Sequence, residues 1–139
     1  MGNLVRELKN KIPDSEKITI NLGHVDLGQI DLLCEQGFYS NRTDFIRTAI
    51  RNRLEGHNDT LKQVIIRQQL DVGLRRYTRD DLEKVSALNE MLDIQVLGLI
   101  IIDDDVLPEL ALKTIATIRV LGAFQASHAV KAALRDRLC

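Results

Sequence analysis

Three polar side chains with the chemistry to read base pairs stand at alternate positions near the start of the chain. Lys17, Thr19 and Asn21 are separated by single apolar residues, so an extended backbone places all three on one face. In the major groove of DNA, a lysine approaches the acceptors of guanine, an asparagine makes paired hydrogen bonds to adenine, and a threonine contacts a base edge or a thymine methyl group. Residue types and spacing therefore predict that Lys17, Thr19 and Asn21 contact bases.

These side chains need a strand to present them, and the predicted strand is incomplete by itself. The intervening Ile18, Ile20 and Leu22 form an apolar face that is expected to rest on the two helices predicted to follow. A single short strand also leaves its backbone hydrogen-bonding groups unpaired. Because the same strand of a second copy would satisfy them about a two-fold axis, we expect an antiparallel ribbon, which is narrow enough to enter the major groove.

A second candidate site lies where the second predicted helix begins. Ser40, Asn41, Arg42 and Thr43 precede an amphipathic pattern, with Ser40 as the predicted N-cap and Asp44 in the first turn. Free backbone N–H groups at a helix start, beside an arginine, favour an anion such as a DNA phosphate. The alternative is that Ser40 only caps the helix and Arg42 is a solvated surface charge.

Three segments follow one another in order between residues 16 and 56. They read Lys17-Ile-Thr-Ile-Asn-Leu22, Ile30-Asp-Leu-Leu-Cys-Glu-Gln-Gly37 and Tyr39-Ser-Asn-Arg-Thr-Asp-Phe-Ile-Arg-Thr-Ala-Ile-Arg-Asn-Arg-Leu54. Together they resemble the ribbon-helix-helix proteins of the CopG, Arc and MetJ type. The resemblance implies an obligate dimer whose ribbon reads bases and whose second helix holds a phosphate on the backbone amides of residues 40–43.

Helical periodicity gives bounds for the two helices of this region. We predict a first helix over residues 25–36 and a second over residues 41–55. Their apolar side chains are expected to form a core shared between two subunits, namely Leu27, Ile30, Leu33, Phe45, Ile46, Ala49, Ile50 and Leu54.

Charge limits how this region can bind nucleic acid. The whole chain has a formal net charge of −1, and residues 1–57 hold eight Lys or Arg against eight Asp or Glu. Affinity for DNA would therefore depend on local clustering of Lys9, Lys11, Lys17 and Arg42, doubled in a dimer. Such binding should weaken steeply as salt is raised.

Other functional classes find little support in the sequence. The three histidines are far apart, no Cys-x-x-Cys is present, and residues 103–105 lack the ligand spacing of a calcium loop, so we expect no metal and no other cofactor. No catalytic motif stands out, and an enzyme is not expected. Without a long apolar run or a secretory signal, and with only two cysteines, the chain is expected to be cytoplasmic and free of membrane contact.

Beyond residue 57 a repeat appears. Three segments start 24 residues apart, Leu70-Asp-Val-Gly-Leu74, Ile94-Gln-Val-Leu-Gly98 and Ile118-Arg-Val-Leu-Gly122, and Leu82, Val106 and Val130 fall at matching offsets. Each segment reads as a strand followed by a helix-start signal, at Thr78, near Pro108 and at Ser127. We expect parallel strands joined by helices, as in a short solenoid; the alternative is a small α/β domain whose repeat is a by-product of alternating strands and helices.

Three details of this half are also predicted. Alternating apolar residues over 61–74 indicate a strand or hairpin leading into the repeats. Gly98 and Gly122 recur where a tight bend after each strand is expected. Residues 99–102 then form a second, fully buried apolar run.

The fold class expected from these patterns is α+β, with two domains. Residues 1–57 form a ribbon-helix-helix domain for dimerisation and DNA binding, and residues 58–139 form an α/β repeat domain that oligomerises or senses. The leading function is a sequence-specific transcriptional regulator whose partners are double-stranded DNA and a second copy, with assembly beyond the dimer through the second domain. Two alternatives stay open: an antitoxin-like protein that binds a partner protein through its C-terminal domain, and a self-assembling scaffold that uses the ribbon only to dimerise.

Overall fold

A computed structural model of the chain describes residues 15–139. The chain divides into two compact units, with the boundary between His57 and Asn58. Lys9 and Lys11, two of the charges expected to cluster with Lys17, lie outside the described residues.

The first unit contains the two predicted helices, α1 (His24–Glu35) and α2 (Arg42–Gly56). Both bounds confirm the sequence-based prediction to within one residue. Helix α1 ends because Gly37 takes a φ of 87°, which lets the N–H of Phe38 donate to the carbonyl oxygen of Leu33 at 3.0 Å. The rings of Tyr39 and Phe45 then meet edge to face, with centroids 4.9 Å apart, and join the connecting turn to α2.

Within one protomer, this unit buries little apolar surface. Among residues 15–57, Ile30 alone is buried. Of the predicted core, Leu27, Leu33, Phe45 and Ile46 are half-buried, whereas Ala49, Ile50 and Leu54 are exposed. Ile50 and Leu54 lie one helical turn apart on α2, and exposed apolar side chains that lie together commonly mark an interaction site in soluble proteins.

The predicted strand differs from its expected form in a single protomer. Residues 16–23 belong to neither a helix nor a strand. Ile18 and Ile20 are 73% and 57% exposed, so they do not rest on α1 and α2 as expected. The physical reason is that an extended segment becomes a strand only when its backbone N–H and C=O groups bond to a neighbour.

The second unit alternates strands and helices, as the repeat predicts. It comprises α3 (Asn58–Arg67), β1 (Asp71–Tyr77), α4 (Arg79–Ala87), β2 (Leu92–Ile102), α5 (Pro108–Thr114), β3 (Ile115–Gln125) and α6 (His128–Ala133), followed by a 3₁₀ turn (Arg135–Arg137). The strands form one parallel sheet in the order β1-β2-β3, with a helix after each strand. Parallel strands in chain order with helical crossovers are the arrangement that the 24-residue period indicates.

The residues at matching offsets in the repeat fill the core of this unit. Leu82, Val106 and Val130 are at most 2% exposed and pack with Ile94 and Ile118 of the central and last strands. All three predicted helix starts are also confirmed, since α5 begins at Pro108. Thr78 and Asp81 form a reciprocal capping box at α4, and the Ser127 hydroxyl accepts from the N–H of Val130 at 3.2 Å at α6.

The prediction for residues 61–74 is wrong in its first half. Residues 58–67 form α3, and β1 begins only at Asp71. Leu61, Val64 and Ile65 recur at i, i+3 and i+4, which is a helical spacing, and the alternation at residues 64 and 66 concealed it. The helix ends where Gln69 takes a φ of 55° and the N–H of Leu70 donates to the Ile65 carbonyl oxygen.

The prediction that Gly98 and Gly122 form bends after the strands is also wrong. Both lie inside strands, with φ of 143° and 126°, and pair in register with each other and with Gly73. A Cβ on Gly98 would stand 2.2 Å from the carbonyl oxygen of Gly73, and a Cβ on Gly122 would stand 2.1 Å from that of Gly98. The glycines therefore permit close approach of neighbouring backbones, and residues 99–102 continue β2 instead of forming a separate run.

Candidate nucleic-acid interface

The three predicted base-reading residues precede α1, within residues 16–23, which belong to neither a helix nor a strand. Lys17, Thr19 and Asn21 are all exposed, and the intervening Ile18 and Ile20 are exposed as well. In an extended backbone, successive side chains point to opposite sides. Pairing as a strand would therefore sort these residues into one polar row and one apolar row, and the side chains of both are accessible in the protomer.

The start of α2 is built differently from the prediction. Asn41, not Ser40, is the N-cap: its backbone is extended, and its Oδ1 accepts from the N–H of Asp44 at 2.8 Å. The N–H of Ser40 donates in turn to Oδ2 of Asp44 at 2.9 Å. These two hydrogen bonds satisfy the backbone N–H of Asp44, in the first turn, and that of Ser40, before the helix. The N–H of Ser40 is thus already bonded to a carboxylate.

Two donors of the first turn remain for an external acceptor. Arg42 and Thr43 are the first two residues of α2, and backbone N–H groups at these positions have no acceptor within their own helix. Both residues are exposed. Together with the positive end of the helix dipole, these amides favour an anion.

Helix α1 fixes the side chain of Arg42. Its Nε and Nη2 donate to Oδ1 and Oδ2 of Asp31, each at 2.8 Å, in a bidentate pair. The hydrogen bonds from Arg42 hold the pKa of Asp31 below its ordinary value, with the guanidinium charge acting in the same direction. Asp31 therefore compensates much of the charge of the Arg42 side chain. The group that Arg42 offers to an anion is mainly its backbone N–H.

Charge is divided between the two helices of this unit. Helix α1 carries three carboxylates and no lysine or arginine, whereas α2 carries four arginines against two carboxylates. Arg47, Arg51 and Arg53 are exposed on α2 and were not among the predicted phosphate contacts. Their sequence signal was present, because Arg47 and Arg51 are four residues apart and share one helix face.

The structure brings together only part of the predicted site. Residues 40–43 cluster at the start of α2, beside the Asp31–Arg42 pair. Lys17, Thr19 and Asn21 lie on a separate segment, and one protomer supplies only one such row. A paired ribbon requires the second copy to complete it.

Neither a metal-binding cluster nor a membrane-spanning helix occurs among the described residues. Residues 15–139 contain no group of three or more His, Cys, Asp or Glu side chains arranged to hold a metal ion. In the same part of the chain, no helix combines the length and apolar character needed to cross a membrane.

Comparison with known proteins places the chain in a family. No curated protein and no solved structure matches it significantly. A family model for ribbon-helix-helix transcriptional regulators, however, matches residues 13–131. The match continues well beyond residues 16–56, which carry the resemblance in the sequence, through most of the second unit. The chain therefore belongs to the ribbon-helix-helix transcriptional regulator family.

Proposed function

We propose that the protein is a sequence-specific DNA-binding regulator that reads the major groove with a dimeric ribbon. Ribbon-helix-helix regulators in general are dimers that bind DNA. The observation that carries the proposal for this chain is the exposure of two sets of apolar side chains, Ile18, Ile20 and Leu22 before α1, and Ile50 and Leu54 on α2. A second copy would cover these residues and complete the strand in one step.

Pairing about a two-fold axis determines which side chains are left outside. If the apolar row turns toward the helices, the polar row of Lys17, Thr19 and Asn21 turns toward solvent on both strands. Six side chains from two copies then lie on one narrow surface, and their types match base edges in the major groove. Contacts of this kind would be direct readout of bases, distinct from contacts to the phosphate backbone.

Phosphate contacts would come from the start of α2 on each side of the ribbon. The N–H groups of Arg42 and Thr43 would receive a phosphate oxygen, and the Asp31 carboxylate would hold the Arg42 side chain in place. Arg47 and Arg51 add positive charge on the same helix. Because the first unit is nearly neutral overall, these local donors carry most of the expected salt dependence.

The second unit is proposed to serve assembly or sensing. Its strand-helix repeat resembles a short solenoid, in which each repeat contacts its neighbours and the ends offer docking edges. A folded unit of this kind disfavours the antitoxin alternative, since such proteins commonly bind partners through a segment that orders on binding. Joining dimers through this unit would raise affinity for tandem operator sites without new base contacts.

The test of base reading is selection of bound fragments from a random DNA pool at moderate salt. The native protein is compared with a variant carrying Lys17→Ala, Thr19→Ala and Asn21→Ala. A matched control carries Asn58→Ala, Thr60→Ala and Lys62→Ala, which remove the same three residue types from exposed positions of α3. All three proteins should first show the same circular dichroism and mass in solution.

Enrichment of an inverted motif by the native protein and the control, but not by the ribbon variant, supports the proposal. Equal enrichment by all three proteins would assign base reading to other residues. Absence of enrichment by the native protein would favour the scaffold alternative, in which the ribbon serves only to dimerise.

A further inference from the structure

The outer edge of β1 differs from the other edge of the sheet. Every residue of β1 except Tyr77 is exposed, and Val72 and Leu74 are 60% and 49% exposed. Among residues 15–139, β1 has a neighbouring strand on one side only, so half of its backbone hydrogen-bonding groups point away from β2. An exposed strand with apolar side chains is a template for pairing with another strand.

The opposite edge, on β3, is partly closed by the end of the chain. Leu138 forms a parallel bridge with Ile118, and the N–H of Cys139 donates to the Ile118 carbonyl oxygen at 3.0 Å. The Arg137 guanidinium donates to the carbonyl oxygen of Ile115 at 2.6 Å and also to that of Leu112. The C-terminal segment thus covers the beginning of β3, and β1 is the more open edge of the described sheet.

Gly73 leaves an unfilled space at this open edge. Its φ of 121° matches those of Gly98 and Gly122, whose missing Cβ atoms allow the preceding strand to approach. By the same geometry, the missing Cβ of Gly73 points away from β2, and no atom of the part of the chain that the structure describes lies within 4 Å of that position. Gly73 could therefore admit a neighbouring backbone as closely as Gly98 and Gly122 do, but no backbone of the described residues lies there.

The residues around Gly73 are complementary to themselves under a two-fold axis. If two antiparallel copies of β1 cross at Gly73, Asp71 of each stands opposite Arg75 of the other, and Val72 stands opposite Leu74. Opposite charges and apolar pairs across strands are both stabilising. Asp71 and Arg75 are free to form such pairs, since their side chains are more than half exposed and their own contact within the strand is 3.9 Å.

Other arrangements fit less well. Moving the axis by one residue to Leu74 would set Val72 opposite Arg76 and Asp71 opposite Tyr77. Continuing the sheet head to tail, with β1 beside β3 of another copy, would set Asp71 beside Val120 and Arg75 beside Phe124. Neither arrangement places an opposite charge directly across from Asp71 or Arg75, so the antiparallel pairing centred on Gly73, which gives both charges such a partner, is favoured.

We infer that β1 pairs with β1 of a second copy, which joins two three-stranded sheets into one of six strands. A contact between two such short strands is weak alone, but a dimeric first unit raises the effective concentration of the second copy. The inference rests on the proposed function in this one respect, that the first unit dimerises. It gives the second unit a specific partner, a copy of itself.

Cysteine cross-linking of the full chain tests the pairing. In a background with Cys34→Ala and Cys139→Ala, Val72→Cys with Leu74→Cys places thiols opposite each other across the proposed axis. The matched control, Leu121→Cys with Ala123→Cys, places them at the same sheet positions of β3. A third variant, Leu74→Cys with Ala123→Cys, reports the head-to-tail arrangement.

Mild oxidation should convert most of the β1 variant to a covalent dimer on a non-reducing gel and leave the other two variants mostly monomeric. Adding Arg75→Asp should abolish this cross-link by opposing two carboxylates, and adding Asp71→Arg as well should restore it. A covalent ladder from the third variant would overturn the inference in favour of head-to-tail stacking.

Hydrogen exchange gives a reading that does not depend on thiol geometry. In the native full chain at micromolar concentration, the β1 amides that face away from β2 should be protected from exchange, and Arg75→Asp should remove much of that protection. Fast exchange of the outward β1 amides in the native protein, together with no cross-link, would overturn the pairing. DNA binding retained in that case would leave the proposed function intact, so the two failures are distinguishable.

Discussion

At the scale of single residues, the three glycines in register are the strongest constraint on the second unit. Gly98 and Gly122 each lie against the backbone of the preceding strand at a distance that no Cβ can share. Their positive φ values add a second reason for glycine, because other residues are strained there. Packing and backbone conformation therefore both require glycine at positions 98 and 122.

Gly98→Ala should destabilise the second unit by at least about 2 kcal/mol, from overlap with Gly73 and from strain at its φ. The measurement is urea unfolding followed by circular dichroism. Gly56→Ala is the matched control, because a Cβ there meets no atom within 4 Å and the residue is helical. A Gly98→Ala protein as stable as the control would contradict the close approach of β1 and β2.

Asp31 gives a pH-dependent prediction at the same scale. Its pKa is lowered in the folded chain, so its contribution to stability is present above the ordinary aspartate pKa, about 3.9, and is lost as pH falls through the folded value. Asp31→Asn should remove this part of the acid sensitivity. Unfolding midpoints measured from pH 7 down to pH 2 should therefore vary less in Asp31→Asn than in the native protein, and equal pH profiles would contradict the pair.

At the scale of elements, the geometry at the start of α2 determines which backbone N–H groups are available to bind a phosphate. Asn41 caps the helix with an extended backbone, and its carbonyl oxygen accepts from the N–H of Phe45. Proline is well accommodated at the first helical position, and the residue before it prefers an extended backbone. Position 42 thus accepts proline with little change of fold.

Arg42→Pro removes both the Arg42 side chain and its backbone N–H, whereas Arg42→Ala removes the side chain alone. If the amide holds a phosphate, Arg42→Pro should weaken DNA binding more than Arg42→Ala does, equally for selected and unrelated sequences. The measurement is the affinity of each variant for DNA over a range of salt concentrations. Equal affinities of the two variants would show that the amide makes no contact with DNA.

Element types were predictable from the sequence to different degrees. The bounds of α1 and α2 followed from periodicity and from Gly37, and the parallel order of β1 to β3 followed from the repeat. Helix α3 was missed because Val64 and Ile66 fit an alternating pattern as well as a helical one.

The candidate site was predictable in composition but not in all its contacts. Ser40 and Asn41 are both good N-caps, and only the geometry around Asp44 decides between them. The Asp31–Arg42 pair joins residues 11 positions apart, which no local pattern reveals. The position of Gly98 inside a strand likewise depends on its neighbour across the sheet.

At the scale of the whole molecule, the first unit exposes apolar side chains that a dimer, the general state of ribbon-helix-helix regulators, would bury. Leu54 and Ile50 are 55% and 48% exposed on α2, one helical turn apart. The apolar row of residues 18–22 is exposed in the same protomer. Dimerisation would bury both, and folding of this unit should therefore be coupled to association.

Leu54→Asp should shift the mass in solution from twice the protomer mass of 15.7 kDa toward that mass, or prevent folding of the first unit. The reason is that a carboxylate buried in an apolar interface is costly. Leu88→Asp serves as control, because Leu88 is 67% exposed in the second unit. Light scattering at several concentrations checks both, and a stable Leu54→Asp dimer would place the interface elsewhere.

Base reading by the ribbon can be measured through a single side chain, that of Asn21. The measurement compares affinity for a selected DNA site with affinity for unrelated DNA, for the native protein, Asn21→Ala and the control Asn58→Ala. Asn21→Ala should lower the ratio of the two affinities by about fivefold or more, as expected for losing a base contact worth about 1–3 kcal/mol, with binding to unrelated DNA unchanged. A ratio equal to that of the native protein would contradict it.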